Sequence, residues 1–401
     1  MRNCVFFALC AGFFSACQLG AASYSHDVNR AEEFRARDGL PNFFNKLNGK
    51  GPVRIAYLGG SITVAKQGWR TKTLEWFRSE YPKVEVIEIN PAISGTGSDY
   101  SACRLQSDVL PQKPDLVFLE CRVNGGGGFE AKSVEGVVRH IWKDNPSTDI
   151  CFVYTLHYGM VKELQANKTP SFGKVMEHIA NVYGIPSIDL GVEIAGREKA
   201  GSLVVKADGP VEDKLVFSTD GVHPGEEGHA VYCEVVARSM RKMATAGAAQ
   251  PHALPAPLEA ANWETAMLLP INRATLSSGW VPVDTEKDPV YTESRLRTHA
   301  MLRGAVKCTR EGESITVAWN GTTVGISDIP YGDPSVLEAV VDGGTPITVE
   351  RVQKEKTRHA RFWYLPEQKP GAHTVTFTVK KLPPGQAFYA GQLLIVGTVS
   401  P

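Results

Sequence analysis

Five short apolar runs recur along residues 53–246, and helical patterns separate them. The runs start at residues 53, 84, 115, 150 and 185, a spacing that leaves room for a crossover helix between consecutive parallel strands. Because most positions in each run are apolar, they predict strands of a sheet that is covered on both faces. The predicted strands are Val53–Leu58, Val84–Ile89, Asp115–Glu120, Ile150–Leu156 and Ile185–Leu190.

The segments between these runs carry apolar residues on one helical face. Trp69, Trp76 and Phe77 stand at positions i, i+7 and i+8, which is typical of an amphipathic helix. Two further stripes follow the same pattern, at Val134, Val137, Val138 and Ile141, and at Val231, Val235, Val236 and Met240 within a last helix over 228–243. Helices that alternate with parallel strands predict a right-handed αβα sandwich around a five-stranded, mostly parallel sheet.

The pattern changes after residue 246. Residues 247–260 are rich in Ala and Pro and lack periodicity, so they predict a linker between a domain over 23–246 and a second domain over 261–401. Short β-rich runs between turn residues predict that this second domain is a C-terminal β-sandwich. The runs are Ser314–Trp319 before a turn at Asn320–Gly321, Val336–Val341 before a turn at 342–344, His359–Tyr364, His373–Val379 and Phe388–Val396.

Four aromatic residues of the second domain are candidates for stacking on a sugar ring, namely Trp319, Tyr331, Trp363 and Tyr364. Such side chains of a β-sandwich belong more often to its core. We therefore expect them to pack rather than to bind.

Residues 1–22 predict a signal peptide. One basic residue, Arg2, precedes an apolar stretch over 5–16 and then small residues, which is typical of a cleaved export signal and too short for a membrane span. Cys17 leaves an alternative open, because it follows Ser15 and Ala16 as in a lipoprotein cleavage site. The chain is therefore expected in the periplasm or outside the cell without a membrane span, either free or anchored through a lipid on Cys17.

Charge and cysteine content exclude several classes of partner. Lys plus Arg and Asp plus Glu are both 43, so the net charge is zero and nucleic acid is not expected as a partner. Five of the eight cysteines lie beyond the leader and no two of them have CxxC spacing; we therefore expect no metal site, and nothing indicates a cofactor. At most two disulfides can form, and Cys121 and Cys151 lie in apolar runs where a buried free thiol is expected.

Ser61 follows the first predicted strand through Gly59 and Gly60. Functional groups of open parallel sheets lie at the carboxyl ends of the strands, and glycines permit a tight turn that exposes a hydroxyl. A phosphate-binding loop is the alternative, but it would need a Lys and further glycines, which the segment 62–64 lacks. Ser61 is therefore a candidate nucleophile.

The next two predicted strands lead into residues that could stabilise an oxyanion. Gly95 would let a backbone N–H approach a reacting oxygen, and Asn124 could donate its side-chain amide to the same atom. Ordinary turn roles remain open for both residues.

Asp220 and His223 stand in the segment Asp-Gly-Val-His, just before the last predicted helix. A serine hydroxyl is a poor nucleophile unless an imidazole takes its proton and a carboxylate holds that imidazole in one tautomer. Ser61, His223 and Asp220 supply these three groups.

Together these blocks resemble those of the SGNH hydrolase superfamily, also called GDSL esterases. The resemblance covers about residues 53–243 and rests on Ser61 in Gly-Gly-Ser-Ile-Thr, Gly95 in Ile-Ser-Gly-Thr, Asn124, and Asp220 and His223 in Asp-Gly-Val-His-Pro. It implies the flavodoxin-like SGNH fold with Ser61, Asp220 and His223 as catalytic triad. It also implies an oxyanion hole made by the backbone N–H groups of Ser61 and Gly95 and the amide of Asn124.

Two positions depart from the pattern of this superfamily. Gly60 stands where the family has Asp, and Gly125 stands where an Asp often follows the Asn. Neither position carries acyl transfer, so the departures bear on the range of substrates.

An exported hydrolase of this type with an added β domain is similar to bacterial carbohydrate O-acetylesterases. The resemblance implies a serine hydrolase that acts on carboxylic ester bonds, with an acetylated polysaccharide or glycan as substrate. A lysophospholipase or general short-chain acylhydrolase is the alternative, and a glycan-binding protein without activity is a third hypothesis. The sequence leaves the oligomeric state open.

Other polar residues near the predicted strand ends have structural alternatives. His157 follows the fourth strand and would line either the substrate pocket or only its rim. His229 is expected at the start of the last helix rather than as a base. Glu120 and Arg122 flank the end of the third strand, where a structural ion pair is expected and a substrate contact is the alternative.

Overall fold

The computed structural model describes residues 24–49, 51–245, 247–292, 296–330, 332–353 and 359–399. The predicted signal peptide, Cys17 and Tyr331 lie outside the described residues. Within these ranges, no helix is both long and apolar enough to cross a lipid bilayer. The cysteines beyond the predicted leader are free thiols, and Cys121 and Cys151 are buried as expected.

The first domain is built on a six-stranded sheet. Its strands are β1 (Phe34–Arg35), β2 (Val53–Leu58), β3 (Val86–Ile89), β4 (Leu116–Leu119), β5 (Asp149–Tyr154) and β6 (Ser187–Asp189). They lie in the order β1-β6-β5-β4-β2-β3, and all neighbours run parallel except the edge strand β1. The five parallel strands are the predicted ones and their order is flavodoxin-like. The two-residue β1 was not predicted.

Helices cover both faces of this sheet. They are α1 (Pro41–Leu47), α2 (Ser61–Val64), α3 (Trp69–Glu80), α4 (Ser98–Arg104), α5 (Glu130–Asp144), α6 (Val161–Gln165), α7 (Ser171–Tyr183), α8 (Leu190–Lys199) and α9 (Glu226–Met243). A small parallel pair, β7 (Leu203–Lys206) and β8 (Leu215–Ser218), precedes α9.

Alternate residues of β2 enter two different cores. Ala56 and Leu58 pack with the apolar stripe of α5, whereas Ile55 and Tyr57 pack with the stripe of α9. Successive side chains of a strand point to opposite faces, so the sheet lies between two helix layers. The predicted αβα sandwich is confirmed.

The second domain consists of antiparallel strands with two short helices. The strands are β9 (Ala266–Leu269), β10 (Thr275–Leu276), β11 (Val281–Pro282), β12 (Val306–Cys308), β13 (Ser314–Asp328), β14 (Ser335–Val341), β15 (Ile347–Arg351), β16 (Arg361–Tyr364), β17 (Gly371–Lys381) and β18 (Phe388–Thr398). Between β11 and β12 lie the helices α10 (Pro289–Thr292) and α11 (Leu296–Met301).

The long strand β13 belongs to both layers of this domain. Residues 314–321 pair with β17, whereas residues 320–328 pair with β18, and the register shifts between Gly321 and Thr323. Apolar residues of both halves, such as Val317 and Ile326, face one shared core. A strand that bends from one layer into the other closes a sandwich in this way, so the predicted β-sandwich is confirmed.

The predicted turn at Asn320–Gly321 is wrong, because β13 continues through it. A Cβ at Gly321 would overlap the backbone of β18 at Val396 and Gly397. The glycine therefore permits a close approach of two strands rather than a chain reversal.

The two domains share a buried core. Trp263 precedes β9 and is fully buried; its ring centroid lies 4.7 Å from that of Phe129 in the first domain and 5.2 Å from that of Tyr364 in the second. A Cβ at Gly136 of α5 would lie 2.5 Å from the carbonyl carbon of Trp263, so the glycine lets α5 touch this backbone. The predicted domain boundaries stay predictions, but the first and second domains pack as one body.

The described candidate stacking aromatics of the second domain take part in packing. Trp319 is 3% exposed, and Trp363 packs against the sandwich core while its Nε1 donates to Asp328. Tyr364 lies in the interdomain core.

Replacing Trp263 with Ala is expected to lower the free energy of unfolding by about 3 kcal/mol or more, since removing a fully buried indole leaves a cavity between the domains. Urea denaturation followed by circular dichroism measures the loss. Trp76→Ala is the matched control, because Trp76 is only partly buried on α3, and we expect a smaller effect. Equal losses for both variants would contradict a special role of Trp263 in joining the domains.

Candidate active site

Ser61 is the first residue of α2, and Gly59 and Gly60 join it to β2. Both glycines are required by close approach rather than by a left-handed backbone. Gly60 has an extended conformation with φ of −96°, but a Cβ there would overlap Oδ1 of Asn124, and a Cβ at Gly59 would lie 2.6 Å from Oγ1 of Thr63. Neither position has room for a side chain, so the turn packs directly against Thr63 and Asn124 at the carboxyl edge of the sheet.

His223 and Asp220 lie in the loop between β8 and α9. Nε2 of His223 is 2.8 Å from Oγ of Ser61, and its Nδ1 is 2.6 Å from Oδ2 of Asp220. The carboxylate selects the tautomer with the proton on Nδ1, which leaves Nε2 free to accept a proton from the serine. The structure thus brings Ser61 together with Asp220 and His223, which lie 159 and 162 positions further along the sequence.

Asp220 is held by a dense set of hydrogen bonds. Its Oδ1 accepts from the backbone N–H groups of Val222 and His223, each at 2.8 Å, and from the Ser218 hydroxyl at 2.9 Å. Burial by itself would raise the pKa of the Asp220 carboxyl, but hydrogen bonds from the side chain and backbone of His223, from Val222 and from Ser218 together hold this pKa well below its usual range. Asp220 is therefore ionised at neutral pH.

Gly95 and Asn124 lie in two loops that meet beside the nucleophile turn. The N–H of Ile93 donates to the carbonyl of Gly59 at 3.0 Å, and Gly95 follows with a left-handed φ of 68°. The side-chain oxygen of Asn124 stands against Gly60. Residues 95 and 124 thus both lie close to the turn that carries Ser61, at an exposed edge of the domain.

Glu120 is a buried carboxylate beneath this turn. It accepts hydrogen bonds from the hydroxyls of Thr63 at 2.8 Å and Thr155 at 2.7 Å, and from the N–H of Gly60 at 3.4 Å. Burial raises the pKa of Glu120. These bonds tie the start of α2 to the ends of β4 and β5, so Glu120 positions the backbone around Ser61.

Arg122 makes its ion pair with Asp189 rather than with Glu120. Its two terminal nitrogens lie 2.6 and 2.8 Å from the two carboxylate oxygens, and both residues are buried. This bidentate pair connects the end of β4 with the end of β6 below the surface. Arg122 is therefore a structural residue.

The two nearby histidines take different places. His157 lies at the rim, where its Nδ1 accepts from the N–H of Gly159 at 3.1 Å. His229 lies in the first turn of α9 and is buried, and its Nδ1 accepts from the N–H of Trp69 at 3.1 Å. Burial lowers the pKa of His229 to about 4, so it is a neutral structural acceptor.

Two residues near the site were missed by sequence reasoning. Tyr158 is 54% exposed, and its N–H donates to the carbonyl of Gly221 at 2.7 Å, within the loop of Asp220 and His223. Its place directly after His157 at the end of a strand was an available signal. Arg297 of α11 reaches Gly95 from the second domain, and no sequence signal connects these two residues.

Comparisons with known proteins bear on the fold. No protein-family model and no curated protein matches the chain. It is similar to the crystal structure of a two-domain esterase (CEX) active on acetylated mannans and co-crystallized with mannopentaose, with a TM-score of 0.74 and 19% identity over 93% of this chain and 97% of that one. A second crystal structure of a two-domain esterase (CEX) active on acetylated mannans gives a TM-score of 0.75 and 20% identity over 93% and 98%. The chain thus shares a two-domain fold with these proteins across nearly its whole length.

Proposed function

We propose that this chain is a serine esterase of the SGNH hydrolase type that removes O-acetyl groups from a polysaccharide or glycan. The observation that carries the proposal is the continuous contact from Ser61 Oγ through the imidazole of His223 to Asp220, with distances of 2.8 and 2.6 Å. A hydroxyl, an imidazole and a carboxylate in this order activate serine nucleophiles in unrelated folds.

In the first half-reaction, Oγ of Ser61 attacks the carbonyl carbon of the acetyl group while its proton moves to Nε2 of His223. Asp220 keeps the other imidazole proton on Nδ1 and stabilises the imidazolium that forms. His223 then gives its proton to the sugar oxygen, the ester bond breaks, and the acetyl group stays on Ser61.

Water completes the second half-reaction. His223 takes a proton from the water as its oxygen attacks the acetyl carbonyl carbon. The bond to Ser61 breaks, its oxygen regains a proton from His223, and acetate leaves. No group other than water is consumed.

Each half-reaction places negative charge on the carbonyl oxygen. The backbone N–H groups of Ser61 and Gly95 and the amide of Asn124 are the donors that we assign to this oxyanion. Hydrogen-bond donors that are fixed before the reaction stabilise the transition state strongly, because they need no reorganisation. The hydrogen-bonded loops around Gly59 provide this rigidity.

Replacing Asn124 with Ala is expected to lower kcat about 100- to 1,000-fold, the typical loss for one oxyanion donor. Hydrolysis of p-nitrophenyl acetate measures the effect, and circular dichroism checks the fold. Asn45→Ala on the exposed face of α1 is the matched control. If Asn124→Ala kept the wild-type kcat, the assignment of Asn124 to the oxyanion hole would be wrong.

The openness of the site supports a large substrate. The side chains of His223 and Asp220 are 50% and 53% exposed, so an acetyl group on a polymer can reach Ser61 without a deep channel. The proteins of similar fold described above are active on acetylated mannans, which supports an acetylated glycan as the substrate.

We further propose that the chain is exported. The N-terminal residue of the mature protein tests whether the leader is removed near residue 22 or directly before Cys17, which would then be the lipidated N-terminus.

Acetate release from a panel of acetylated mannans, xylans and other glycans tests the proposed function. p-Nitrophenyl esters of increasing acyl length form the second arm. We expect the highest kcat/KM on acetyl esters and measurable acetate release from at least one glycan. Preference for long acyl chains would favour the lysophospholipase alternative, and glycan binding without any hydrolysis would favour the non-enzymatic one.

A further inference from the structure

A groove runs between the two domains and begins at the end of α2, the helix whose first residue is Ser61. It consists of two adjoining cavities of about 430 and 340 Å³, which share Asn90, Ala92, Ile93 and Ala300 as lining residues. The larger cavity is also lined by Val64, the last residue of α2. The groove therefore starts within one short helix of Ser61 and leads away along the loop after β3.

The second domain supplies one wall of this groove. Arg297 and Ala300 of α11, and His359 before β16, line the larger cavity opposite Asn90 and Ile93 of the first domain. The groove exists only because α11 packs onto the first domain, where Met301 and Leu302 are fully buried in the shared core. A separate first domain would lack this wall.

Arg297 reaches from this groove to the loop that contains Gly95. A Cβ at Gly95 would lie 2.5 Å from Nη1 of Arg297, so the guanidinium lies directly against the glycine that we assign to the oxyanion hole. Its Nε donates to the sulfur of the buried Met301 at 3.3 Å, and this contact helps to orient the side chain. Arg297 is thus held at the junction of the groove and the catalytic centre.

We propose that this groove binds the sugar chain of the substrate and that Arg297 is a specificity-determining residue for the sugar that carries the ester. This inference rests on the proposed function, because it takes the attacked ester to belong to a glycan. Sugars present apolar ring faces and rims of hydroxyl groups. The groove offers apolar surface from Ile93 and Ala300 together with polar groups of Asn90 and Arg297, and a guanidinium donates in a planar fork to oxygen acceptors.

The second domain then contributes to specificity through a helix that it inserts beside the active site. Trp319, one of the aromatics considered for stacking, is buried in the sandwich core, and Tyr364 is partly buried against the interdomain core. The recognition surface is therefore built from both domains together, and a small ester that lacks the sugar chain does not use it.

Arg297→Ala tests this directly when two substrates are compared. We expect kcat/KM on acetylated glucomannan to fall about 10- to 100-fold, the effect of losing a hydrogen bond from a charged group, mainly through a higher KM. The loss on p-nitrophenyl acetate should be at least about tenfold smaller than the loss on the glycan, because this ester does not occupy the groove. Ala300→Phe, which narrows the groove, should show the same split between substrates.

Arg273→Ala is the matched control, because Arg273 is an exposed arginine of the same domain away from the groove. If Arg297→Ala lost kcat/KM equally on both substrates, Arg297 would act on the acyl group rather than on the sugar, and the inference would be overturned. Unchanged activity on both substrates with Arg297→Ala and Ala300→Phe would also overturn it.

A binding measurement separates this inference from the proposed function. Calorimetric titration of mannopentaose into Ser61→Ala, and into Ser61→Ala combined with Arg297→Ala, measures the affinity of the groove for the sugar chain in the absence of hydrolysis. We expect at least about tenfold weaker binding for the double variant. If the wild type hydrolyses no ester, the proposed function fails, but this titration still tests whether the groove binds the sugar chain. Equal affinity of the two variants would overturn the groove assignment whatever the activity.

Discussion

Replacing Ser61 with Ala is expected to lower kcat for ester hydrolysis by about 10⁶-fold, the scale found when the nucleophile of a serine triad is removed. Without Oγ no acyl-enzyme forms, and only binding and the oxyanion donors remain. The initial rate with p-nitrophenyl acetate measures the loss. A fluorophosphonate probe gives an independent readout, since peptide mass spectrometry should find one label on Ser61 of the wild type and none on the variant.

Ser147→Ala serves as the control, because Ser147 lies in an exposed turn at the opposite end of the sheet, before β5. It should keep both activity and labelling. Ser61→Ala should keep its cooperative thermal unfolding, since the hydroxyl lies at the surface of the site. If Ser61→Ala retained more than about one hundredth of the wild-type rate, the nucleophile would have to be another residue.

Replacing Asp220 with Asn is expected to lower kcat by about 10⁴-fold. An amide can present an acceptor or a donor to Nδ1 of His223, so the imidazole can hold its proton on Nε2, and the base that faces Ser61 is lost. The amide also carries no charge to stabilise the imidazolium. Steady-state kinetics with p-nitrophenyl acetate measure the effect, and Asp208→Asn in the exposed loop after β7 is the matched control.

The same substitution has an expected pH signature. The pKa of Asp220 in the folded chain lies below that of an unfolded aspartate, about 3.9, so its ionised form stabilises the fold above this pH. That contribution is lost as the pH falls through the folded-state pKa. The difference in Tm between wild type and Asp220→Asn should therefore shrink as the pH falls below about 4. A difference that persists unchanged from about pH 5 down to about pH 2 would contradict a carboxylate that its hydrogen bonds hold ionised.

The five parallel strands could be predicted because each is a compact apolar run at the spacing of a crossover unit. The buried stripes of α5 and α9 followed from helical periodicity in the same way. Both signals are local, since the residues that carry them are neighbours along one element. The candidate site could be proposed because Ser61, Gly95 and Asn124 follow three successive strands, whose carboxyl ends meet at one edge of a sheet.

Contacts between distant segments have no local sequence pattern from which they could be predicted. Asn320 and Gly321 are typical turn residues, yet the glycine lets β13 approach β18, and only the pairing of the two strands reveals this. Arg297 reaches Gly95 because one domain docks on the other. The two residues of β1 are too few for any periodicity, and their pairing with β6 decides their conformation.

The contact between Gly136 and Trp263 limits how the second domain can be exchanged among related proteins. Any side chain at position 136 would push α5 away from the backbone of Trp263. A different β-sandwich with an aromatic residue at this place could therefore dock only on a helix that has a glycine at the matching position. If the chain were recombined at the Ala- and Pro-rich segment, the indole of Trp263 would lose its packing partners in the first domain. We therefore expect the two halves of such proteins to be inherited together rather than shuffled as independent modules.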